Sequence, residues 1–584
     1  QPLMNRSIAT ALLVYALLAV GLFFNAMENP FHYDDRHSIK YNKHLRSLTN
    51  IPSFFTDPGT FSSERRGTMF RPLLLSSYAL NYALHENWVP GFRLVNLLIH
   101  ALCATLLFGL VYAGANRCRE AWAIGLLFLL HPVHVEPVNY ISSRSDLLVS
   151  FFYLLALYVA GRPWSGWMAY AAALLTKSVA ITMPVAIAVW QQLKVGSLLL
   201  RRGYFAGLIL LSGFYFAAIV ANRFLGSSLA KAPRSFEQNL WTQVKALVYY
   251  IWLYCMPRTL SVEHPFTVAQ DMLDPPVLFS SLFLLSLLGL ALYGRRRIES
   301  LAFAFFLLVM LPTTFIPLNI LVSERRSYLA SAGLIGIAVW AWGRLADKRR
   351  AWGLATGCCL CMLMAMIGWT RNPVWAGEIS LWEDAVRKGP GMFRARANLG
   401  LAYNKANRQP EAIVQLEQAL AINPDYAEAW VELGNIYHQM QRLDAAEGAY
   451  RHALSLSPSL EGIYYNLGNI ALGRGKVQEA IAFYGETLSR NPSFADAYNN
   501  RGQAYEVVGD LQGAMGQYQY AVEYDPGLGG AWFNLGSISE RLAQSQIALS
   551  AYRRARDILS QTSEYQVFAN KAQQAIERLE INDE

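Results

Sequence analysis

The chain has 584 residues, room for two or three domains, with 54% hydrophobic and only 16% charged residues. That average hides two halves. Long apolar runs fill the chain up to about residue 370, and from about residue 375 it is rich in Ala, Glu, Gln, Asn, Tyr and Arg. The net charge of +9 does not point to nucleic acid, because the basic residues sit in small clusters beside apolar segments, as topology signals do, and form no binding stripe.

The first half predicts membrane spans near 8–27, 92–114, 121–137, 146–161, 165–176, 178–193, 203–221, 276–293, 299–317, 324–343 and 351–369. Basic clusters at Arg117/Arg119, Lys194/Arg201/Arg202, Arg295–Arg297 and Lys348–Arg350 all become cytoplasmic if the N-terminus is cytoplasmic. The alternation then puts the loops 28–91, 131–145 and 318–323, Lys177 and the C-terminal half on the opposite side. Residues 240–257 are read as an interfacial or re-entrant helix, which gives eleven spans; full insertion would make twelve. The localisation that follows is a bacterial inner membrane with the C-terminal half outside, or else an endoplasmic reticulum membrane with it in the lumen.

The second half repeats. Pro390, Pro424, Pro458, Pro492 and Pro526 are spaced by 34 residues, and so are Gly400, Gly434, Gly468, Gly502 and Gly536. This is the period of a tetratricopeptide (TPR) helical pair. Five repeats are expected over 391–562, after a linker and lead-in helix at 373–390 and before a capping helix and tail at 563–584. The fold class is therefore all-α: a polytopic helical membrane domain over 1–372, then an α-solenoid. Two residues before four of the repeat glycines stand Asn398, Asn466, Asn500 and Asn534. Such a ladder suits the backbone of an extended or unfolded protein acceptor; it equally suits hydrogen bonds between neighbouring repeats.

Candidate chemistry lies at the predicted outer ends of the spans. Asp34 and Asp35, in FHYDDRHSI, follow the first span, where paired acids must be solvated or used. Either could take a proton from an acceptor hydroxyl. Arg71, Arg144, Lys177, Arg325 and Arg326 are cations on the side where cations are the minority, and they call for an anionic partner such as a phosphate or a lipid headgroup. His131, His134 and Glu136 in HPVHVEP imitate a metal site, but Pro132 and Pro137 argue against a regular helix, and structural hydrogen bonding is the preferred reading.

YDDRHSI, FRPLLLSS, LLHPVHVEPVNYISSRSDLL, LLTKS and VSERRSYLASAG, in that order and followed by TPRs, resemble the transmembrane and tetratricopeptide-repeat (TMTC) family. Its members are protein O-mannosyltransferases of the GT-C superfamily. The resemblance implies a polyprenyl or dolichyl phosphate-mannose donor, inverting transfer to Ser or Thr, and no metal or other cofactor. It implies Asp34 as base, Asp35 as its partner, and His37, His131, His134, Glu136 and Glu324 in support. The implied partners are the lipid-linked sugar, a protein acceptor on the repeats and membrane lipids, with no nucleic acid. The short repeat array fits a bacterial member. Two other readings are weighed: an O-antigen-type ligase or polymerase, disfavoured because the long outer loop is the first one, and a non-catalytic TPR scaffold.

Overall fold

The computed structural model describes residues 2–63, 69–115, 117–160, 162–195, 202–221, 234–293, 298–317, 320–348, 350–458, 460–561 and 565–583. Arg201, Arg295, Arg296, Arg297 and Arg349 of the predicted cytoplasmic clusters lie outside them. The described residues are helical or irregular, with no strand among them. The chain divides into two compact units, Gln1–Gly391 and Met392–Glu584.

Among the described residues the first unit has fifteen α-helices: α1 (Pro2–Phe23), α2 (Pro72–His85), α3 (Val89–Ala115), α4 (Cys118–Leu130), α5 (Val135–Asn139), α6 (Arg144–Tyr158), α7 (Pro163–Leu174), α8 (Met183–Val195), α9 (Arg202–Ala221), α10 (Phe236–Cys255), α11 (Pro275–Tyr293), α12 (Ile298–Phe315), α13 (Ser331–Lys348), α14 (Arg350–Arg371) and α15 (Glu378–Lys388). Among the described residues, Arg6–Ala26, Val89–Gly114, Gly203–Ala221 and Ala351–Ala376 are long and apolar enough to cross a bilayer, and α4 with Pro132–Asn139 forms a further candidate bent by 49°. Ser178–Gln191, Pro275–Ala291 and Glu299–Phe315 are apolar but shorter. This is a membrane protein.

The predicted span at 121–137 is broken by a 3-10 turn at Pro132–His134, and those at 178–193 and 324–343 open with 3-10 turns, Ser178–Thr182 and Glu324–Ser327, ahead of α8 and α13. Irregular backbone at such places is tolerated where protein surrounds it. Of residues 240–257, all but the last two fall in one regular helix, α10, which ends at Cys255 and is opened by a capping box between Ser235 and Gln238. The loop after α1 folds on its own small core, in which Phe31, Ile39, Phe54, Phe61 and Tyr78 meet Phe92 of α3 and Ile141.

The second unit is the TPR solenoid, and its glycines have a physical cause. A Cβ at Gly434, Gly468, Gly502 or Gly536 would sit 2.5–2.7 Å from a ring atom of Tyr450, Tyr484, Tyr518 or Tyr552, the tyrosine of the same repeat's second helix. Gly400 meets Leu416 in the same way at 2.8 Å. The two helices of each repeat can pack this closely only over glycine. A last helix, Gln566–Asp583, covers the apolar face of Ser545–Leu559 through Ala569, Ala572 and Ile576.

Candidate active site

Adjacent in sequence, Asp34 and Asp35 are opposite in environment. Asp35 is fully buried. Its Oδ1 accepts from the Ser142 amide at 2.6 Å and the Ser142 hydroxyl at 2.5 Å, and its Oδ2 accepts from the His32 amide at 3.0 Å. Burial nevertheless pushes this carboxyl up to about 6, against the pull of those donors. Asp34 keeps 55% of its side chain exposed. Partial burial raises its pKa, but the His37 hydrogen bond and the Arg325 charge outweigh that and hold it at about 2. His37 donates from Nε2 to Asp34 Oδ1 at 3.4 Å and receives the Ser62 hydroxyl on Nδ1 at 2.9 Å. Asp35 thus ties the first loop to the segment before α6, while Asp34 offers an ionised carboxylate to whatever enters the site.

Immediately before the pair stands Tyr33, whose φ of +40° lies in the left-handed region. Its ring is packed edge-on against Tyr140, at 6.0 Å, and Trp382 of α15, at 5.3 Å. On either side of it, His32 Nε2 donates to the Trp375 carbonyl at 2.8 Å and Arg36 pairs with Glu378 at 2.8 Å. The lead-in segment to the repeats therefore packs on the loop that carries the acids.

Four of the five predicted cations come together. Lys177 Nζ lies 2.5 Å from Asp146 Oδ1 at the start of α6. Arg71 bonds Ser145 beside it at 3.4 Å and feels the charges of Asp146 and Arg325. Arg325 sits over the Tyr140 ring at 4.9 Å and reaches Glu136 at 3.8 Å. Arg326, which donates to the Ile320 carbonyl at 2.6 Å, is within electrostatic range of Asp146 and Arg325. Burial pulls Lys177 down to about 8, with Asp146 opposing and the two arginines adding to it. Because Arg325 also acts on Asp34, the cation group borders the exposed carboxylate.

Arg144 is not in this group. Its guanidinium is fully buried and spends its donors on Asn96 at 2.8 Å, the Phe92 carbonyl at 2.8 Å and Ser77 at 3.3 Å. That is an internal clamp between α2, α3 and α6. Glu136 accepts from the Ser323 hydroxyl at 3.2 Å and the Arg325 amide at 3.3 Å, which fixes the Arg325 turn. Glu324 points elsewhere: it accepts from the Ser261 amide at 2.6 Å and Arg371 at 3.1 Å, closing the end of α14. His131 donates to the Tyr254 carbonyl at 3.1 Å; His134 donates to Phe128 O at 2.6 Å and is hydrogen-bonded to Ser331 at 3.1 Å. Both rings serve the interior.

Residues that the sequence did not single out are Asp146, Tyr140 and Ser142. Asp146 was the most legible of them: it stands in SSRSDLL, an acid at the head of an apolar run, which calls for a cation.

In the solenoid, Asn466, Asn500 and Asn534 donate to Asn435 at 3.1 Å, Asn469 at 2.9 Å and Asn499 at 2.9 Å in the preceding repeat. Asn435 and Asn469 also accept from Tyr450 and Tyr484 at 2.8 and 2.7 Å. These contacts tie neighbouring repeats together. Asn398 is half-buried in the first repeat.

Comparison with known proteins adds names to this geometry. A family model described as TPR repeat matches residues 400–441 and 434–473, and one described as Tetratricopeptide repeat matches 465–528. Over 444 residues the chain is 24% identical to "Protein O-mannosyl-transferase F38B6.6" of Caenorhabditis elegans, covering 71% of this chain and 63% of that one. Over 481 residues it is 24% identical to "Protein O-mannosyl-transferase TMTC4" of Homo sapiens, covering 69% and 65%. The chain thus spans a little under two thirds of the length of these relatives. Among solved structures it is similar to crystallised MamA, 27% identical with a TM-score of 0.24 over 25% of this chain and 86% of that one.

Proposed function

We propose that this chain is a membrane glycosyltransferase that moves mannose from a polyprenyl or dolichyl phosphate carrier to Ser or Thr hydroxyls of protein acceptors, on the side of the membrane opposite the cytoplasm. The observation that carries the reading is the pairing just described: an ionised, half-exposed carboxylate at Asp34 bordered by the Arg71, Lys177, Arg325 and Arg326 cations. The names of the relatives support the same class.

The chemistry divides between the two groups. A hydroxyl is a poor nucleophile at neutral pH, so Asp34 accepts its proton as the oxygen bonds to the anomeric carbon from the face opposite the phosphate. The bond from that carbon to the phosphate oxygen breaks, and the lipid phosphate leaves with a second negative charge. Arg71, Lys177, Arg325 and Arg326 stabilise that charge where it develops. His37 orients the Asp34 carboxylate, and Asp35 fixes the loop beneath it. The solenoid recruits the acceptor.

Sidedness has its own support. Arg325 lies just before α13 begins, whereas the last turns of α13 hold Arg344 against Glu299 and Asp347 against Arg119. The basic end of α13 is thus remote from the acids, as the positive-inside rule asks of the cytoplasmic face.

The test is transfer by the purified full chain in vesicles, from radiolabelled polyprenyl phosphate-mannose to an unfolded Ser/Thr-rich protein. Asp34→Asn keeps the size of the side chain but cannot accept the proton, and should lower turnover roughly a hundredfold with the fold intact. Full transfer by the Asp34→Asn, Asp35→Asn double variant would end the reading and leave a membrane-anchored TPR scaffold.

A further inference from the structure

One short stretch of chain, residues 136–142 (EPVNYIS), touches both halves of the site. At its start, Glu136 in α5 accepts from the Arg325 amide at 3.3 Å. At its end, Ser142 gives its amide and its hydroxyl to Asp35 at 2.6 and 2.5 Å. Tyr140 stands between them and reaches both sides with one side chain. Its hydroxyl accepts from the Asp34 amide at 3.3 Å, and its ring carries the Arg325 guanidinium 4.9 Å from the centroid.

The local backbone makes Tyr140 a fixed point. α5 stops at Asn139 because Tyr140 is extended, with φ −82° and ψ 106°, and the 3-10 turn Ile141–Ser143 starts at once. The Tyr140 amide donates to the Glu136 carbonyl at 3.0 Å, and the Tyr140 carbonyl accepts from the Ser143 amide at 3.0 Å, so both of its backbone groups are used within the same stretch. The side chain is buried. Trp375 lies nearly parallel to the ring at 6.2 Å, and Tyr33 meets it edge-on at 6.0 Å. A close-packed ring of this kind does not swing off Arg325 without moving its neighbours.

The two ends of the side chain act on different groups. A phenol that accepts from the Asp34 amide still has its own proton to donate. That proton serves the carboxylate of the same residue: burial raises the Asp34 carboxyl, and the His37 hydrogen bond, the Arg325 charge and the Tyr140 hydroxyl together hold it at about 2. The face of the ring is negative, and a guanidinium held over it spends no N–H donor on the contact. Arg325 is thereby kept in place by a neighbour that does not compete with an anion for its donors.

We infer that Tyr140 is a positioning residue: its hydroxyl aims the Asp34 carboxylate and its ring holds the Arg325 guanidinium, so that one side chain sets the spacing between the base and a phosphate-binding cation. The inference rests on the transfer proposed above. There the acceptor oxygen loses its proton on one side of the anomeric carbon while the phosphate leaves on the other, and the two protein groups must keep one separation through the step.

The experiment uses the full chain in vesicles with two replacements at position 140. Tyr140→Phe removes the hydroxyl and keeps the ring. Pentafluorophenylalanine, introduced there by codon suppression, keeps the ring's shape but reverses the polarity of its face. Three measurements are made on each: kcat and donor KM for transfer from polyprenyl phosphate-mannose, binding of polyprenyl phosphate alone, and carbodiimide labelling of Asp34 mapped by peptide mass spectrometry. A carbodiimide attacks the protonated carboxyl, so at about pH 5 the labelling rate reports how firmly Asp34 holds its charge. Tyr140→Phe should lower kcat about tenfold at unchanged donor KM. It should bind polyprenyl phosphate as the wild type does and label at Asp34 several-fold faster. The fluorinated ring should weaken polyprenyl phosphate binding roughly fivefold relative to the phenylalanine ring, with the same unfolding temperature. A tyrosine that only packs would move kcat, KM and binding together with stability, or move none of them. If the wild type transfers no sugar, the enzymatic reading falls, and labelling and phosphate binding still decide whether Tyr140 holds the two groups. The proposal is overturned if Tyr140→Phe labels at Asp34 as the wild type does, if its kcat is unchanged in a wild type that transfers, or if the two rings bind polyprenyl phosphate equally.

Discussion

Asp35 gives the sharpest quantitative prediction, because its burial and its hydrogen bonds pull in opposite directions. In the folded protein its carboxyl rises from the ordinary 3.8 to about 6, chiefly because ionisation would strand a charge away from water. At about 1.4 kcal/mol per pH unit, that rise amounts to about 3 kcal/mol. The folded state binds this proton more tightly than the unfolded state. The stabilisation is therefore fully present below about pH 4 and is lost as the pH climbs through 6. No discount for solvent screening applies, since the side chain is fully buried. Asp35→Asn removes this titration, so between pH 4 and 7 the wild type should lose about 3 kcal/mol more stability than the variant does. Because Asn offers one acceptor oxygen where the carboxylate offers two, either the Ser142 amide and hydroxyl or the His32 amide loses its partner. That lowers the variant's whole curve by about 1–3 kcal/mol. The assay is thermal unfolding in detergent across that range, wild type against variant. Parallel curves would refute the reasoning, since they would mean that Asp35 does not titrate there. Asp34, held at about 2, stays ionised throughout that range, so protonation of the proposed base should not limit turnover there.

Lys177 sits at about 8, so affinity for the lipid phosphate should weaken as the pH rises from 7 to 9, and Lys177→Arg should abolish that dependence in a donor-binding titration. Arg144→Gln should destabilise the membrane unit by about 1–3 kcal/mol, the cost of leaving buried acceptors on Asn96, Ser77 and Phe92 without a donor, yet leave donor affinity of the folded fraction unchanged. Asn500→Ala removes the bonds to Asn469 and Tyr465 and should cost about 1 kcal/mol in the unfolding of the solenoid. Trp382→Ala should lower turnover several-fold at unchanged donor affinity, and Trp382→Phe, which keeps a ring against Tyr33, should restore most of it.

The solenoid was legible because its constraint is local and periodic: one glycine per 34 residues faces one bulky side chain in its own repeat, and nothing distant is needed to see it. The spans were legible as apolar runs but not as helices. Whether a run breaks at His131–Pro132 or at Lys177 depends on which neighbours can take up the freed backbone groups, and those neighbours are remote in sequence. The cations show the same limit. Arg144 and Arg325 look alike at the outer ends of apolar runs, yet one meets Asn96, Ser77 and the Phe92 carbonyl and the other meets Tyr140 and Glu136. Only the packing of α2, α3 and α6 separates a clamp from an available charge. Likewise nothing in the dipeptide Asp34–Asp35 says which acid is tied down; the partner that decides it, Ser142, is 107 residues away.

The turn at Tyr33, just before those two acids, also links them to the rest of the chain. A non-glycine residue at positive φ costs about 1–2 kcal/mol and persists only where its surroundings hold it. For Tyr33 the surroundings are Tyr140 on one side and Trp382 on the other, with the His32–Trp375 and Arg36–Glu378 contacts flanking it. Three of those four partners, Trp375, Glu378 and Trp382, belong to the segment that leads into the repeats. If that segment loosened, Tyr33 would relax toward ordinary backbone, and the carboxylate of the next residue would turn with it. Asp35, held by Ser142, would stay in place. The strain therefore falls on the aim of Asp34 alone, so the orientation of the proposed base depends on the packing of the helix that joins the membrane unit to the solenoid.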